Sequence, residues 1–351
     1  MARHPFGPRA GLTARNLTYI VLLALLLITV VIVFIYGPSD RNEAEPIEIA
    51  PAPDADTDVN VVEVSKTTAL LPPAEVEREP NLPEIARGPT RGPSVEPNPE
   101  AVELIAEATA LISEKPNRII EARDRLKEAL RMPMSPQQRA FVKGQLSELA
   151  NKWLFSKTVL PDDELCGSYR VEQGDVLTII GERHKVPYEI LMQINNISHP
   201  EALQAGETIK IINGPFHAKV YRSTFTMDVY LQNTFVRTFR VGLGKPGMET
   251  PTGLWRVKAG GKLVKPIWTN PVDGRTYYPE DSDYPLGSRW IGLEGLAGAA
   301  KDRTGFAIHG TKKPEQIGTA GSQGCIRMHD GDAILLYNLL FPTFSQVEVA
   351  D

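Results

Sequence analysis

The sequence predicts a multidomain α+β chain: a single N-terminal transmembrane helix, a disordered linker, a small α-helical region, a βααβ module and a mainly-β C-terminal domain. Three observations carry this. An apolar run from Leu17 to Tyr36 is broken only by Thr18 and Thr29. Apolar residues then recur at helical spacing through 98–158. From Phe216 onward the pattern changes to short alternating runs between turn residues, as strands require.

The length of 351 residues allows two or three compact domains. A net charge of -5 gives no support to nucleic-acid binding. Two cysteines, Cys166 and Cys325, cannot make a disulfide framework. About 20 helical residues span the roughly 30 Å bilayer core, so the run 17–36 is long enough to cross. Arg3, Arg9 and Arg15 precede it; Asp40, Glu43 and Glu45 follow, with Arg41 the one basic residue nearby. Residues 1–16 are therefore expected in the cytoplasm and the remainder outside it. A cleaved signal peptide is the competing reading. The run is longer than a usual signal core, and no small-x-small cleavage site follows Tyr36, so an uncleaved anchor is expected. The segment carries no charged side chain, which argues against an intramembrane active site. Residues 37–97 are rich in Pro, Glu, Asp and Ala and bury too little apolar surface to offset ordering, so they read as an extended, disordered spacer.

Residues 98–158 read as three antiparallel helices. Asn98-Pro99-Glu100 offers an N-cap with Pro at the first helical position. Ile119, Ala122, Leu126, Ala129 and Leu130 share one side of a second helix. Ser135-Pro136-Gln137-Gln138 starts a third with a capping box, and Phe141, Leu146, Leu149 and Trp153 are its expected packing residues. Packing and partner binding are both open roles for this region.

Residues 168–213 read strand, helix, helix, strand. Asp175 is expected to cap the first helix after a turn at Gly174, and Pro187 to begin the second. The pattern Tyr169-x-Val171, Gly174-Asp175, Leu177, Ile180, Val186, Leu191, Asn195, Leu203, Gly206, Ile209 and Ile211 resembles a lysin motif (LysM). The resemblance implies binding of N-acetylglucosamine-containing glycan in a shallow groove. Its loops would lie near Gly174-Asp175-Val176-Leu177 and Asn195-Asn196-Ile197.

Within residues 216–351, His217 to Arg222, Met227 to Leu231, Phe235 to Val241 and Leu254 to Lys258 read as strands of a sandwich or barrel. Asp332 to Phe341 reads as a helix and Gln346 to Val349 as a closing strand. Gly261 to Leu286 lacks periodicity and is expected to be a long functional loop.

The chemistry concentrates between Thr304 and Met328. His309 closes one apolar, strand-like run, and Gly324-Cys325 opens the next. An imidazole beside a thiol can take its proton, so the two form an acyl-transfer pair. Gly324 leaves the approach to Cys325 open, and the Cys325 N–H is a candidate oxyanion donor. His309, Cys325 and His329 are also three possible zinc ligands. No CxxC, HxxxH or HExxH pattern accompanies them.

His309-Gly310, followed by Ser322-Gln323-Gly324-Cys325-Ile326-Arg327, resembles the signature of the L,D-transpeptidase catalytic domain family (YkuD-like), cysteine enzymes of peptidoglycan. Gln323 stands where that family most often has His. Glu249-Thr250-Pro251-Thr252-Gly253 and Pro285-Leu286-Gly287-Ser288-Arg289-Trp290-Ile291 extend the resemblance. It implies Cys325 as nucleophile, His309 as base and the Gly310 carbonyl as the group orienting the imidazole. Gly324, Ser322 and Arg327 are the implied substrate or oxyanion residues. Arg327, with Arg289 and Lys312, is expected either to meet stem-peptide carboxylates or, for Arg327, to hold the turn through a backbone carbonyl. Trp268, Tyr277, Tyr278 and Tyr284 would line a roof over the cleft. The implied reaction needs no cofactor or metal. Peptidoglycan stem peptides would be donor and acceptor, the expected product an L,D cross-link, and the expected place the periplasmic side of a bacterial inner membrane. Two alternatives stand beside it: an L,D-carboxypeptidase using the same Cys, and a non-catalytic LysM tether.

Overall fold

The computed structural model describes residues 98–114 and 118–351. The expected cytoplasmic N-terminus, anchor (17–36) and linker (37–97) lie outside the described residues. Among the described residues, no helix is long and apolar enough to cross a membrane.

Three helices come first: α1 (Pro99–Ser113), α2 (Ile119–Arg131) and α3 (Pro136–Trp153). Asn98 accepts from the Glu100 N–H at the start of α1, and Pro99 lies in the first turn, where a missing N–H costs nothing. Ser135 and Gln138 close a capping box on α3. The three pack in sequence through Ala108, Ala122, Leu126, Leu146, Leu149 and Trp153. Phe141 departs from the expected packing stripe: it is 50% exposed, and Val142 is buried instead. Leu146, Leu149 and Trp153 set a stripe whose preceding turn falls on Val142, and Phe141 sits about 100° round the helix from it.

The βααβ module comprises β1 (Cys166–Arg170), α4 (Leu177–Arg183), α5 (Tyr188–Asn195) and β2 (Thr208–Ile212). Its strands pair antiparallel from Cys166↔Ile212 to Arg170↔Thr208. Leu177, Ile180, Val186, Ile190, Leu191 and Ile209 fill the space between. Asp175 does not cap α4. The cap position is Val176, so Asp175 lies one residue too early to reach the first free helix amides. Its Oδ2 instead accepts from the Glu172 N–H and the Tyr169 O–H, both at 2.8 Å, closing the turn at Gly174. Pro187 occupies the cap position of α5 rather than its first helical residue.

Lys210, on β2, is buried and joins this module to the helices. Its Nζ donates to Trp153 O (2.5 Å), Ser156 O (3.0 Å) and Thr158 O (2.8 Å), the carbonyls at and just beyond the end of α3. These are groups a helix leaves unpaired, and a cation suits that end of the dipole.

The remaining chain begins with β3 (Phe216–Tyr221), β4 (Thr226–Leu231), β5 (Thr234–Arg240), β6 (Leu243–Gly244), β7 (Gly253–Val264), β8 (Trp268–Thr269) and β9 (Thr276–Tyr277). It continues through β10 (Arg289–Gly298), β11 (Phe306–His309), β12 (Ala320–Ser322), β13 (Ile326–Arg327), α6 (Asp330–Leu339) and β14 (Gln346–Ala350). Eight strands form one mixed sheet in the order β13-β11-β10-β7-β14-β3-β4-β5, parallel at β13/β11 and β14/β3. The expected loop 261–286 is in part regular. Residues 261–264 belong to β7, and β8 and β9 form a short hairpin. The β7–β10 pairing, with Lys262 opposite Ile291, joins segments too far apart for local periodicity to reveal.

The helices dock on this sheet. α3 packs on β5, and Lys143 Nζ meets the fully buried Asp228 carboxylate at 2.5 Å. Thr238 Oγ1 donates to the other carboxylate oxygen at 2.6 Å. α6 packs on β10 and β11 and so backs the strand that ends in His309.

Candidate active site

β11 and β13 run side by side in parallel, with Ile308 opposite Ile326 and His309 opposite Arg327. Residues 309 and 325–327 are thus neighbours although the loop between them is long. The Arg327 main chain is bound on both sides: it exchanges two 2.8 Å hydrogen bonds with Gly242, and the next residue, Met328, donates to His309 O at 2.9 Å. Ile308 and Ile326 are buried, which holds the register.

The turn before Cys325 is held by buried hydroxyls. Ser322 Oγ accepts from the Gly324 N–H at 3.1 Å and donates to Cys325 O at 2.6 Å. Its hydroxyl is therefore used inside the turn and is not turned toward a substrate. Thr250 Oγ1 donates to Gly324 O at 2.8 Å. Gly324 has φ +110°, and a Cβ there would lie 2.7 Å from the Phe306 ring. The glycine is thus required by backbone conformation and by Phe306, beyond any open approach to the thiol.

His309 is buried. Its Nδ1 lies 2.6 Å from Gly310 O. A carbonyl only accepts, so Nδ1 carries the proton and Nε2 keeps the lone pair. Trp290, directly opposite on β10, stacks on the ring at 5.7 Å with 14° between planes. Burial pulls the imidazole pKa down to about 4; the Gly310 and Leu286 carbonyls oppose the fall and the Arg327 charge adds to it. Cys325 is half-buried, and burial pushes its thiol up against the opposing Ala307 N–H and Arg327 charge. Its sulfur faces Gly305 O at 4.0 Å. At neutral pH the resting site is a neutral thiol beside a neutral imidazole. Among the described residues, no hydrogen bond joins the two.

Other expected residues are placed elsewhere. The Arg327 guanidinium bonds the Gln316 side chain rather than a backbone carbonyl. Arg289 donates to Ser288 O and lies over the Tyr337 ring. Lys312 donates to Ser282 O at 2.6 Å. Trp268 and Tyr277 stack on each other, and Tyr284 is buried with its hydroxyl on Pro266 O. In the βααβ module, Asn195 is turned inward: it bonds Leu191 O and both backbone groups of Lys210, tying α5 to β2. Val176, in the first expected glycan loop, is exposed.

Sequence reasoning assigned no role to Asp330, Trp290, Phe306 or Gln316, and quoted Thr250 without one. Asp330 Oδ1 accepts from the Ser288 N–H at 2.6 Å, and a Cβ on Gly310 or Gly287 would collide with that oxygen. The sequence holds one signal for this arrangement: Gly310 and Gly287 both lie in the segments that carry the family resemblance.

A family model described as the L,D-transpeptidase catalytic domain (YkuD) matches residues 215–349, and one for the LysM domain matches residues 169–211. A protein of Bacillus subtilis (strain 168) named "Putative L,D-transpeptidase YkuD" is 30% identical over 180 residues, covering 49% of this chain and 93% of that protein. From the same strain, "Putative L,D-transpeptidase YqjB" is 32% identical over 135 residues, covering 38% of this chain and 69% of that protein. Among solved structures, L,D-transpeptidase 3 from Mycobacterium tuberculosis in complex with a faropenem-derived adduct aligns at 16% identity with a TM-score of 0.31. That alignment covers 41% of this chain and 64% of that one, and says nothing about chemistry here. With the first of these relatives spanned over nearly its whole length, this chain belongs to the YkuD-like L,D-transpeptidase family and carries a LysM peptidoglycan-binding module.

Proposed function

We propose that this chain forms L,D cross-links in peptidoglycan through a thioester on Cys325. The observation that carries the reading is the parallel β11–β13 pairing, which sets His309 beside the Cys325 turn, together with the Gly310 carbonyl that leaves Nε2 of the imidazole as the free base. As the thiol attacks the carbonyl of the third stem residue, its proton passes to His309 Nε2. The terminal residue leaves as an amine, taking that proton, and an acyl-thioester remains. An amine of a second stem then attacks the thioester and releases the thiol. His309 is neutral at pH 7, so it is in the form that accepts a proton. Burial holds the Cys325 thiol up, so the thiol needs a base to give up its proton.

The test is intact mass of the full chain, held in detergent, after incubation with a carbapenem. One covalent adduct, lost in Cys325→Ala, is expected. An unmodified wild-type chain, or an adduct that survives the substitution, would overturn the assignment. Simple alkylation is a poorer guide, because a protonated thiol reacts slowly whatever its role.

We also propose that residues 17–36 anchor the chain in the inner membrane with the catalytic domain outside, on the apolar run and its flanking charges. Alkaline extraction of membranes should leave the chain in the pellet; release into the supernatant contradicts an uncleaved anchor.

A further inference from the structure

Acyl transfer through Cys325 needs a donor aimed at the oxygen on which negative charge develops, and the turn shows what aims it. We propose that Thr250 is a positioning residue: its hydroxyl fixes the Gly324–Cys325 peptide plane and so points the Cys325 N–H at the oxyanion. This rests on the nucleophilic role proposed for Cys325.

In a trans peptide, C=O and N–H lie in one plane and point opposite ways, so pinning the carbonyl sets the direction of the N–H. Thr250 Oγ1 is buried, donates to Gly324 O at 2.8 Å and accepts from the Gly244 N–H at 3.1 Å. Ser322 Oγ holds the Gly324 N–H and Cys325 O. Three of the four polar main-chain groups of Gly324 and Cys325 are therefore bound to buried hydroxyls. Among the described residues, the fourth, the Cys325 N–H, has no hydrogen-bond partner. A peptide flanked by glycine is the easiest to rotate, which is why pins matter here.

Gly244 lets Thr250 come this close. A Cβ on Gly244 would lie 2.1 Å from Met248 O and 2.6 Å from the Thr250 N. Gly244 is also the partner of Ser322 in the β6–β12 pairing. Ser322 is thus paired with Gly244, and Thr250 is hydrogen-bonded to the same glycine, which brings the two hydroxyls to one turn.

Two reactions of the thiol separate positioning from folding. With imipenem, the S–C bond forms and the carbonyl π pair moves onto oxygen, where the Cys325 N–H receives it. Collapse then breaks the lactam C–N bond, and the thiol proton, carried by His309, goes to the nitrogen. With iodoacetamide, an S–C bond forms as C–I breaks, the proton goes to solvent and no oxyanion arises. In the full chain in detergent, Thr250→Val should acylate about tenfold or more slowly, while alkylation stays within about twofold of wild type. Thr250→Ser should restore the acylation-to-alkylation ratio. An unchanged ratio in Thr250→Val, or equal loss of both rates, overturns the proposal. Should Thr250→Val not fold, Thr250→Ser decides alone: it keeps the hydroxyl, so a ratio about tenfold below wild type is the refuting result. A wild-type chain that alkylates and never acylates instead sinks the catalytic reading itself.

Discussion

Among the described residues His309 is buried without an acidic partner, and this makes stability depend on acid. The unfolded chain protonates this residue near pH 6.5, whereas the folded one resists until about pH 4. Between those values the unfolded state binds more protons, so stability falls as pH drops through the window. The loss is on the order of 3 kcal/mol by pH 4. Denaturant midpoints measured from pH 7 to pH 4 should show this slope, and His309→Gln should flatten it. An identical slope in the variant would mean that other groups control the acid limb. Cys166 acts in the opposite direction. Burial holds its thiol up near 12, so stability is expected to fall as pH rises above about 9. Cys166 is buried as a small apolar side chain.

At the scale of elements, the turn from β12 to β13 leaves little room for change. Gly324 combines a left-handed backbone with a Phe306 ring that an added methyl would strike. Gly324→Ala should therefore destabilise by about 1–3 kcal/mol and suppress carbapenem acylation more than that loss explains. Trimming the ring with Phe306→Leu removes the clash but not the strain, so the double variant should recover only part of the stability. Full recovery would mean that the left-handed conformation costs nothing. Burial also explains which strands are legible in the sequence. Strand β3 buries every second residue, so period two exposed it before any pairing was known; β4 and β5 each also bury three residues in a row, 227–229 and 234–236, which pairing and the cover of α3 decide. The end of β7 carries Gly260, Gly261 and Lys262, and its strand character comes from pairing with β10.

At the scale of the whole molecule, the helices, the βααβ module and the catalytic sheet are joined by buried charges. Lys143 meets Asp228 beneath α3, Lys210 caps the end of the same helix, and Arg123 meets the buried Asp163 at 2.7 Å. Removing one partner of such a pair strands the other. Lys143→Met is expected to cost about 3–5 kcal/mol, read as a fall in thermal midpoint, whereas Lys143→Met with Asp228→Leu should cost less. Because α3 supplies Lys143 and the Trp153 carbonyl to the first two contacts, and its Trp153 ring lies under the Arg123 guanidinium, calorimetry should show the helical region and the sheet unfolding together; a separate early transition for the helices would contradict this coupling. The helical region is thus a packed support for the sheet edge, which answers one of the two roles left open by its sequence.

The helices, the βααβ order and the alternating strand pattern were legible in the sequence, which also offered Cys325 and His309 as the candidate pair. Each of these rests on local spacing or on a short run of residue types: caps at Asn98 and Ser135, period two in 216–221, and Gly-Cys after His-Gly. Tertiary structure alone decided the rest. It set the neutral state of His309 and Cys325, because burial depends on what packs around them. It turned Ser322 and Asn195 inward and took Asp175 into a turn. It brought Thr250 to Gly324, 74 residues along the chain, because β6 and β12 pair and Gly244 leaves room. Those are long-range contacts between polar groups, and no periodicity in a sequence records which distant partner a hydroxyl will find.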